Sequence, residues 1–268
     1  MWDQLFIVGA MIGDLWVPLI FGLLPGFATE DYSVFFTLIK ETVAENVKST
    51  GFKFKKVLCD YELSIHNALK ECFGGETEIR GCNFHYSQCI FRKVQSLGMQ
   101  REYLTARSKV RIFSKMAISL SHVPPSRLKE AYFVIKNLEF TEEKELEFQK
   151  NMLAYLNMQW LNNPSMPVEK WNCFRRKNNL SNNCQENFNS RLKKKIKTHN
   201  PNPNKLYFEP LQMYLTLSKV YLAKIKDENM PRDVIYVQSL SEKIIWKKDA
   251  LVACTATASA MVCANSNL

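Results

Sequence analysis

Apolar residues dominate the start of the chain in two runs separated by Gly13 and Asp14. This pattern predicts two buried strands, over residues 4–11 and 15–23, that turn at this pair. A membrane anchor is the alternative, because periodicity alone does not distinguish a buried strand from a helix. Glycines and prolines interrupt the run and no basic residue precedes it, so we favour the hairpin and expect no membrane partner.

Strand and helix patterns then alternate along the chain. Each short apolar run is followed by a segment whose apolar residues have helical spacing, and each of these segments ends at a glycine. This order predicts an α/β layer with some parallel strands. The expected helices cover residues 29–48, 65–73 and 85–97, and the expected strands cover residues 52–59 and 77–82.

The middle of the chain carries helical periods and no strand signal. We expect Pro125 to open one helix, and residues 140–161 to form another after an acidic start. The first of these helices is predicted to bury Leu128, Ala131, Phe133 and Leu138.

Four parts follow from these patterns. They are an α/β core over residues 1–102, a helical insertion over 103–168, a helical C-terminal part over 169–230, and a partly disordered tail over 231–268. The C-terminal part is expected to contain a helix after the Asn-rich residues 178–183 and a second helix over 208–226. The tail is Ala/Thr/Ser-rich from Asp249 and shows no core pattern.

The chain of 268 residues is basic, with 36 Lys and Arg against 26 Asp and Glu. Residues 170–200 hold nine of the basic residues and a single acid, Glu186. A surplus of this kind favours a polyanionic partner such as a phosphate backbone, although a targeting signal or ordinary surface is an alternative. Eight cysteines are too few for a disulfide scaffold. The apolar start does not resemble an export signal, so we expect reduced thiols and an intracellular protein.

Two acids occupy positions that suit catalysis or helix capping. Asp60 follows a predicted strand, where open α/β sheets carry ligands, but it also suits an N-cap. Glu186 begins a predicted helix at capping-box spacing from Asn183. Helical geometry places Lys193 and Lys197 on the face of Glu186, and the buried stripe of this helix is predicted to be Cys184, Phe188, Leu192 and Ile196.

A thiol and an imidazole lie close together in the sequence at Cys82 and His85, with Cys89 one turn further on. Zinc needs about four such ligands, and the sequence shows no second pair at zinc-finger spacing. Buried packing groups are the favoured interpretation. A nucleophilic Cys–His pair is an alternative with no assignable orienting partner.

The ordered motifs resemble the core of Mutator-like element (MULE) transposases over roughly residues 1–221. The resemblance begins in the hairpin and is strongest at Cys59-Asp60-Tyr61-Glu62 and at Gly81-Cys82-Asn83-Phe84-His85-Tyr86. It continues through Trp171-Asn172 and Ser181-Asn182-Asn183-Cys184-Gln185-Glu186.

The resemblance implies an RNase H-like fold with a helical insertion, in which three carboxylates hold two Mg²⁺ ions for DNA cleavage and strand transfer. It makes Asp60 the second acid and Glu186 the third, both catalytic and metal-binding, and gives Cys82 and His85 a structural role. It also implies DNA as partner, a nuclear location and a possible homo-oligomer. From charge and helical geometry, we expect DNA contacts from Arg191, Lys193, Lys194, Lys195 and Lys197.

One departure from the family concerns its first catalytic Asp. The strand that carries it would precede Gln4, and neither Asp3 nor Asp14 takes its place. We therefore expect a fragment that lacks the first strand of its sheet and is inactive as given. The alternative is a domesticated, non-catalytic module that binds DNA or protein.

Overall fold

The computed structural model describes residues 3–12, 15–47, 54–176, 183–196, 243–247 and 250–254. These residues form a mixed α/β structure that is mostly helical and has small sheets. The chain divides into two compact units. The first unit comprises Met1–Val57, Glu62–Glu78 and Asn183–Leu268, and the second comprises Leu58–Tyr61 and Ile79–Asn182.

A four-stranded antiparallel sheet belongs to the first unit. Strands β1 (Gln4–Ile12) and β2 (Leu15–Leu24) pair as a hairpin, which confirms the prediction from the apolar runs. Strands β5 (Lys243–Lys247) and β6 (Ala250–Cys254) complete the sheet, and β6 pairs with β2. The sequence did not predict these two strands, because each is short and its strand conformation comes with pairing to a distant partner.

Helices α1 (Thr29–Val47) and α2 (Leu63–Phe73) pack against each other in the first unit. Phe35 and Phe36 of α1 are fully buried, and the ring of Phe35 lies 5.4 Å from that of Phe6 on β1. Gly22 on β2 allows this packing, since a Cβ there would lie 2.4 Å from the ring of Phe35.

Strands β3 (Lys56–Cys59) and β4 (Glu78–Gly81) form a separate two-stranded sheet. The amide of Glu78 donates to the carbonyl of Lys55, and the amide of Cys82 donates to that of Cys59. The residue numbers of donor and acceptor rise together from the first bond to the second, so the two strands are parallel. Helix α2 lies between them in the sequence. The predicted parallel strands are confirmed. The single RNase H-like sheet is not, because the described strands divide between two sheets.

Helices make up most of the second unit, as the middle of the sequence predicted. Its core surrounds Tyr86, whose ring stacks on Trp171 with centroids 5.3 Å apart. The helix predicted to open at Pro125 begins instead at Leu128, after a 3₁₀ turn. The helices are α3 (Asn83–Ser96), α4 (Gln100–Leu104), α5 (Lys109–Ser119), α6 (Leu128–Lys136), α7 (Glu143–Leu156) and α8 (Val168–Trp171), with a π-helical turn at Asn157–Leu161.

The predicted apolar face of α6 is partly wrong. Leu128 is buried, whereas Phe133 is 63% exposed and Ile135 takes the second buried position. Ile135 lies seven residues, or about two full turns, after Leu128 and therefore on the same face of the helix. Phe133 lies five residues after Leu128 and therefore on a different face. The insertion over residues 103–168 stays a prediction.

Helix α9 (Asn183–Ile196) follows the Asn-rich segment, as predicted, and belongs to the first unit. Phe188 and Leu192 are buried as expected, and the ring of Phe188 lies 5.3 Å from that of Trp16 on β2. Cys184 is exposed, so its place in the buried stripe is wrong. The predicted helix over residues 208–226 lies outside the described residues. No helix in the described part of the chain is long and apolar enough to cross a membrane.

Candidate functional site

Asp60 lies directly after the last residue of β3, as the sequence predicted. Its alternative role as the N-cap of α2 is wrong, because Glu62 occupies that position. The Asp60 carboxylate instead meets an imidazole: its Oδ1 lies 2.9 Å from Nδ1 of His85, in the first turn of α3. The Asp60 side chain is 46% exposed and that of His85 is 21% exposed.

Cys82 joins this pair from the N-cap position of α3. Its side chain is fully buried and hydrogen-bonds to His85. The hydrogen bond that His85 donates to the Asp60 carboxylate is the largest cause that raises the pKa of His85 to about 10. Its hydrogen bond with Cys82 and the charge of Asp60 act in the same direction, against the opposing effect of burial. His85 is therefore an imidazolium at neutral pH. The structure thus brings together Asp60, Cys82 and His85.

Tyr61, which follows Asp60 in the sequence, is partly buried against the core of the second unit. Its ring packs edge-on against Trp160 at 5.0 Å, and burial raises the pKa of its hydroxyl. A Cβ on Gly81 would lie 2.1 Å from the Tyr61 ring, so only glycine fits at the end of β4. Arg176 donates to the carbonyl of Gly81 at 3.4 Å. Tyr61 and Gly81 belong to the sequence motifs, but the sequence indicates no role for them, since their contact depends on the pairing of β3 with β4.

The thiol–imidazole–carboxylate order supplies the orienting partner that the sequence did not reveal for a nucleophilic Cys–His pair. However, the Cys82 thiol is fully buried, so a substrate does not reach it in this conformation. A structural zinc site finds no support either, because the described ranges contain no group of three or more His, Cys, Asp or Glu placed to hold a metal. The geometry favours Cys82 and His85 as supports of Asp60.

Glu62 is held separately, in the first unit. The hydroxyl of Tyr32 donates to Oε1 of Glu62 at 2.8 Å, and Nε2 of Gln4 donates to the same hydroxyl at 3.0 Å. Burial raises the pKa of Tyr32. These bonds connect the start of α2 to the hairpin through α1, and the spacing of the three residues gave no signal of them.

Glu186 lies in the first turn of α9 and is half-buried. The preceding residue, Gln185, donates from Nε2 to the carbonyl of Ile7 on β1 at 2.8 Å, which fixes the start of α9 against the hairpin. Glu186 belongs to the first unit and Asp60 to the second. That the two acids share one site stays a prediction.

The predicted DNA-binding residues are partly described. The side chains of Arg191, Lys193 and Lys194 are exposed on α9. Lys195 lies on the same helix, and Lys197 lies outside the described residues. The exposed cations follow Glu186 along α9 and suit contact with phosphates.

Comparison with protein-family models, with curated proteins and with solved structures finds no match to this chain. The resemblance to MULE transposases therefore rests on the ordered motifs alone.

Proposed function

We propose that this chain is a fragment of a MULE-type transposase, whose ancestral activity is metal-dependent cleavage and strand transfer of DNA. The observation that carries the proposal is the position of Asp60 at the carboxyl end of a parallel strand, paired with His85 of the family's Cys-x-x-His motif. Carboxyl ends of parallel strands are where α/β folds place ligands. DNA as partner, nuclear location and homo-oligomer formation belong to the same proposal.

Mg²⁺ is the expected cofactor, and Asp60 and Glu186 are its proposed ligands. Carboxylate oxygens are the ligands that Mg²⁺ prefers, and the partly exposed carboxylate of Asp60 fits that requirement. The fit is incomplete, since the described residues do not gather three metal-binding side chains. We therefore derive no catalytic step through the metal and expect the chain to be inactive as given.

The chain's own residues have two roles in this proposal. His85 and Cys82 fix the orientation of the Asp60 carboxylate, because the imidazolium holds one oxygen at 2.9 Å while almost half of the side chain remains open to solvent. The exposed Arg191, Lys193 and Lys194 hold the DNA backbone near Glu186.

A gain-of-function experiment tests the proposal. A strand that bears an aspartate, taken from a MULE transposase, is fused before Gln4, and cleavage of a DNA substrate is measured with and without Mg²⁺. We expect cleavage that requires Mg²⁺ and is abolished by Asp60→Asn and by Glu186→Gln. Glu147→Gln, which changes an exposed acid of α7, serves as the matched control and should retain activity. Restored cleavage that survives both active-site substitutions would contradict the assignment.

A domesticated DNA-binding or protein-interaction module is the second candidate. The observation that favours it is the ion pair itself, because an imidazolium already neutralises the charge of Asp60. This candidate predicts duplex binding that weakens steeply with salt and survives Asp60→Asn and Glu186→Gln. Charge reversal at Lys193, Lys194 and Lys195 should weaken it broadly, whereas Lys150→Glu on α7 should not. Unchanged binding after the triple reversal would show that the basic residues of α9 do not bind DNA.

A further inference from the structure

A second basic surface lies on helices α3 to α5 of the second unit. Residues 83–119 contain seven Lys or Arg and one acid, Glu102, which pairs with Lys144 of α7 at 3.5 Å. Two of the seven cations are partly buried: Arg111 donates to the carbonyl of Tyr103, and Lys93 lies over the ring of Tyr155. The other five are exposed: Arg92, Arg101, Arg107, Lys109 and Lys115.

These five cations carry a net positive charge that the described structure leaves without acid partners. None of them forms an ion pair within the described ranges. The helices α3, α4 and α5 pack against one another, and Arg92 and Lys115 contact neighbouring side chains on them. A surface in which one sign predominates attracts a polyanion.

An aromatic depression lies between the same three helices. The rings of Phe91 on α3 and Tyr103 on α4 lie 4.8 Å apart, and Lys115 Nζ lies 5.8 Å from the centre of the Tyr103 ring. Arg92 reaches the rim, where its Nη2 donates to Oε1 of Gln88 at 3.3 Å. The depression has a volume of about 270 Å³ and is lined by Ser87, Gln88, Phe91, Tyr103, Lys115 and Ile118.

We propose that the surface of α3 to α5 binds single-stranded DNA and that its aromatic depression takes one unpaired base. Tyr103 and Phe91 supply apolar faces for the base, while Lys115 and Arg92 at the rim hold the adjoining phosphates. The depression is open to solvent, and its volume of about 270 Å³ lies just below the range of about 300–1,000 Å³ typical of pockets for drug-sized ligands, which suits one planar ring system. Cations combined with aromatic side chains are typical of proteins that bind single strands.

A single strand is favoured over a duplex because the depression next to these cations is lined by aromatic rings. The faces of paired bases are covered by stacking, so a half-buried aromatic depression gains nothing from a duplex beyond the attraction of its phosphates. The choice of DNA as the polymer rests on the proposed function. The surface lies on different helices from α9 and uses neither Asp60 nor Glu186.

Binding of the full chain to fluorescein-labelled oligothymidylate, measured by anisotropy in EDTA, tests this inference. We expect Tyr103→Leu to weaken binding to the single strand roughly 10-fold, in line with the loss of one stacked base, and to leave binding to a duplex of equal length unchanged. Tyr103→Phe keeps the ring and should bind like the parent chain, which separates loss of stacking from loss of folding.

The cations give a separate signature. We expect Lys115→Gln to reduce the slope of log K against log salt by about 0.7, as for one lost phosphate contact on a single strand. Lys129→Gln, on the exposed surface of α6, is the matched control and should leave the slope unchanged. Tyr103→Leu should also leave it unchanged.

Several outcomes would overturn the inference. If Tyr103→Leu weakens binding to single strand and duplex equally, the depression does not bind a base. If Lys115→Gln leaves the slope unchanged, Lys115 does not contact a phosphate. Competition by heparin as strong as that by oligothymidylate of equal charge would indicate a general polyanion surface. Because EDTA removes any metal, the anisotropy results do not depend on the cleavage experiment. Failure of the single-strand proposal can therefore be distinguished from failure of the proposed function.

Discussion

The ion pair between Asp60 and His85 predicts a stability that depends on pH. Its Nδ1 and Oδ1 atoms lie 2.9 Å apart, and the pKa of His85 rises from 6.5 to about 10. A group whose pKa is raised on folding binds its proton more tightly in the folded state. The stabilisation by His85 is therefore fully present below pH 6.5 and is lost as the pH rises from 6.5 through 10.

The magnitude follows from the pKa and the exposure of the pair. The rise from 6.5 to about 10 sets an upper bound of roughly 5 kcal/mol, at about 1.4 kcal/mol for a tenfold change in proton affinity. Asp60 keeps 46% of its side chain exposed, and solvent screening at such a site reduces the contribution to about 1 kcal/mol.

A double-mutant cycle of Asp60→Asn and His85→Gln isolates this contribution. Urea denaturation of the four proteins at pH 6, 8 and 10 gives the coupling free energy at each pH. We expect about 1 kcal/mol at pH 6 and a steady fall towards pH 10. The cycle is needed because burial also raises the pKa of the Cys89 and Cys173 thiols, which adds its own loss of stability at high pH.

Nuclear magnetic resonance gives an independent reading of the same pair. The ring protons of His85 should titrate near pH 10 in the parent chain and close to 6.5 in Asp60→Asn. Titration near 6.5 in the parent chain, together with no coupling at pH 6, would refute the ion pair and with it the positioning of Asp60.

Three further changes test the packing around the candidate residues, each by urea denaturation. Gly81→Ala places a Cβ against the ring of Tyr61 and should cost about 1–3 kcal/mol, whereas Gly75→Ala, which meets nothing within 4 Å, should change stability little; equal effects would argue against the contact. Phe188→Ala should cost about 3–5 kcal/mol, and a cost below 1 kcal/mol would mean that α9 does not pack on the hairpin. Tyr32→Phe removes a hydroxyl that donates to a carboxylate and should cost about 1.5–3 kcal/mol; no change would show that water replaces the bond.

The sequence predicted features of the fold that depend on neighbouring residues. Gly13 and Asp14 between two apolar runs predicted the hairpin, because its two strands are neighbours in the sequence. Strand β6 depends on pairing with β2 more than two hundred positions away, and no local pattern reports such a partner. The exposure of Phe133 has a similar origin, since the elements that pack against α6 determine which of its apolar residues are buried.

The candidate site divides in the same way. Residue types and spacing identified Asp60, Cys82 and His85, but their contact arises from the pairing of β3 with β4 and from the start of α3. The role of Gly81 depends on the ring of Tyr61 across that strand pair. The sequence did not predict the basic, aromatic surface of α3 to α5, because its residues come from three helices and come together only when these helices pack.

Iron-directed cleavage of the polypeptide tests most directly whether Asp60 and Glu186 bind one metal ion. Fe²⁺ takes the place of Mg²⁺, ascorbate and peroxide generate hydroxyl radicals at the ion, and mass spectrometry locates the cuts. We predict cuts next to both residues, suppressed by excess Mg²⁺ and lost together in Asp60→Asn. Cuts beside only one of the two acids, or cuts that persist in Asp60→Asn, would contradict a shared metal site.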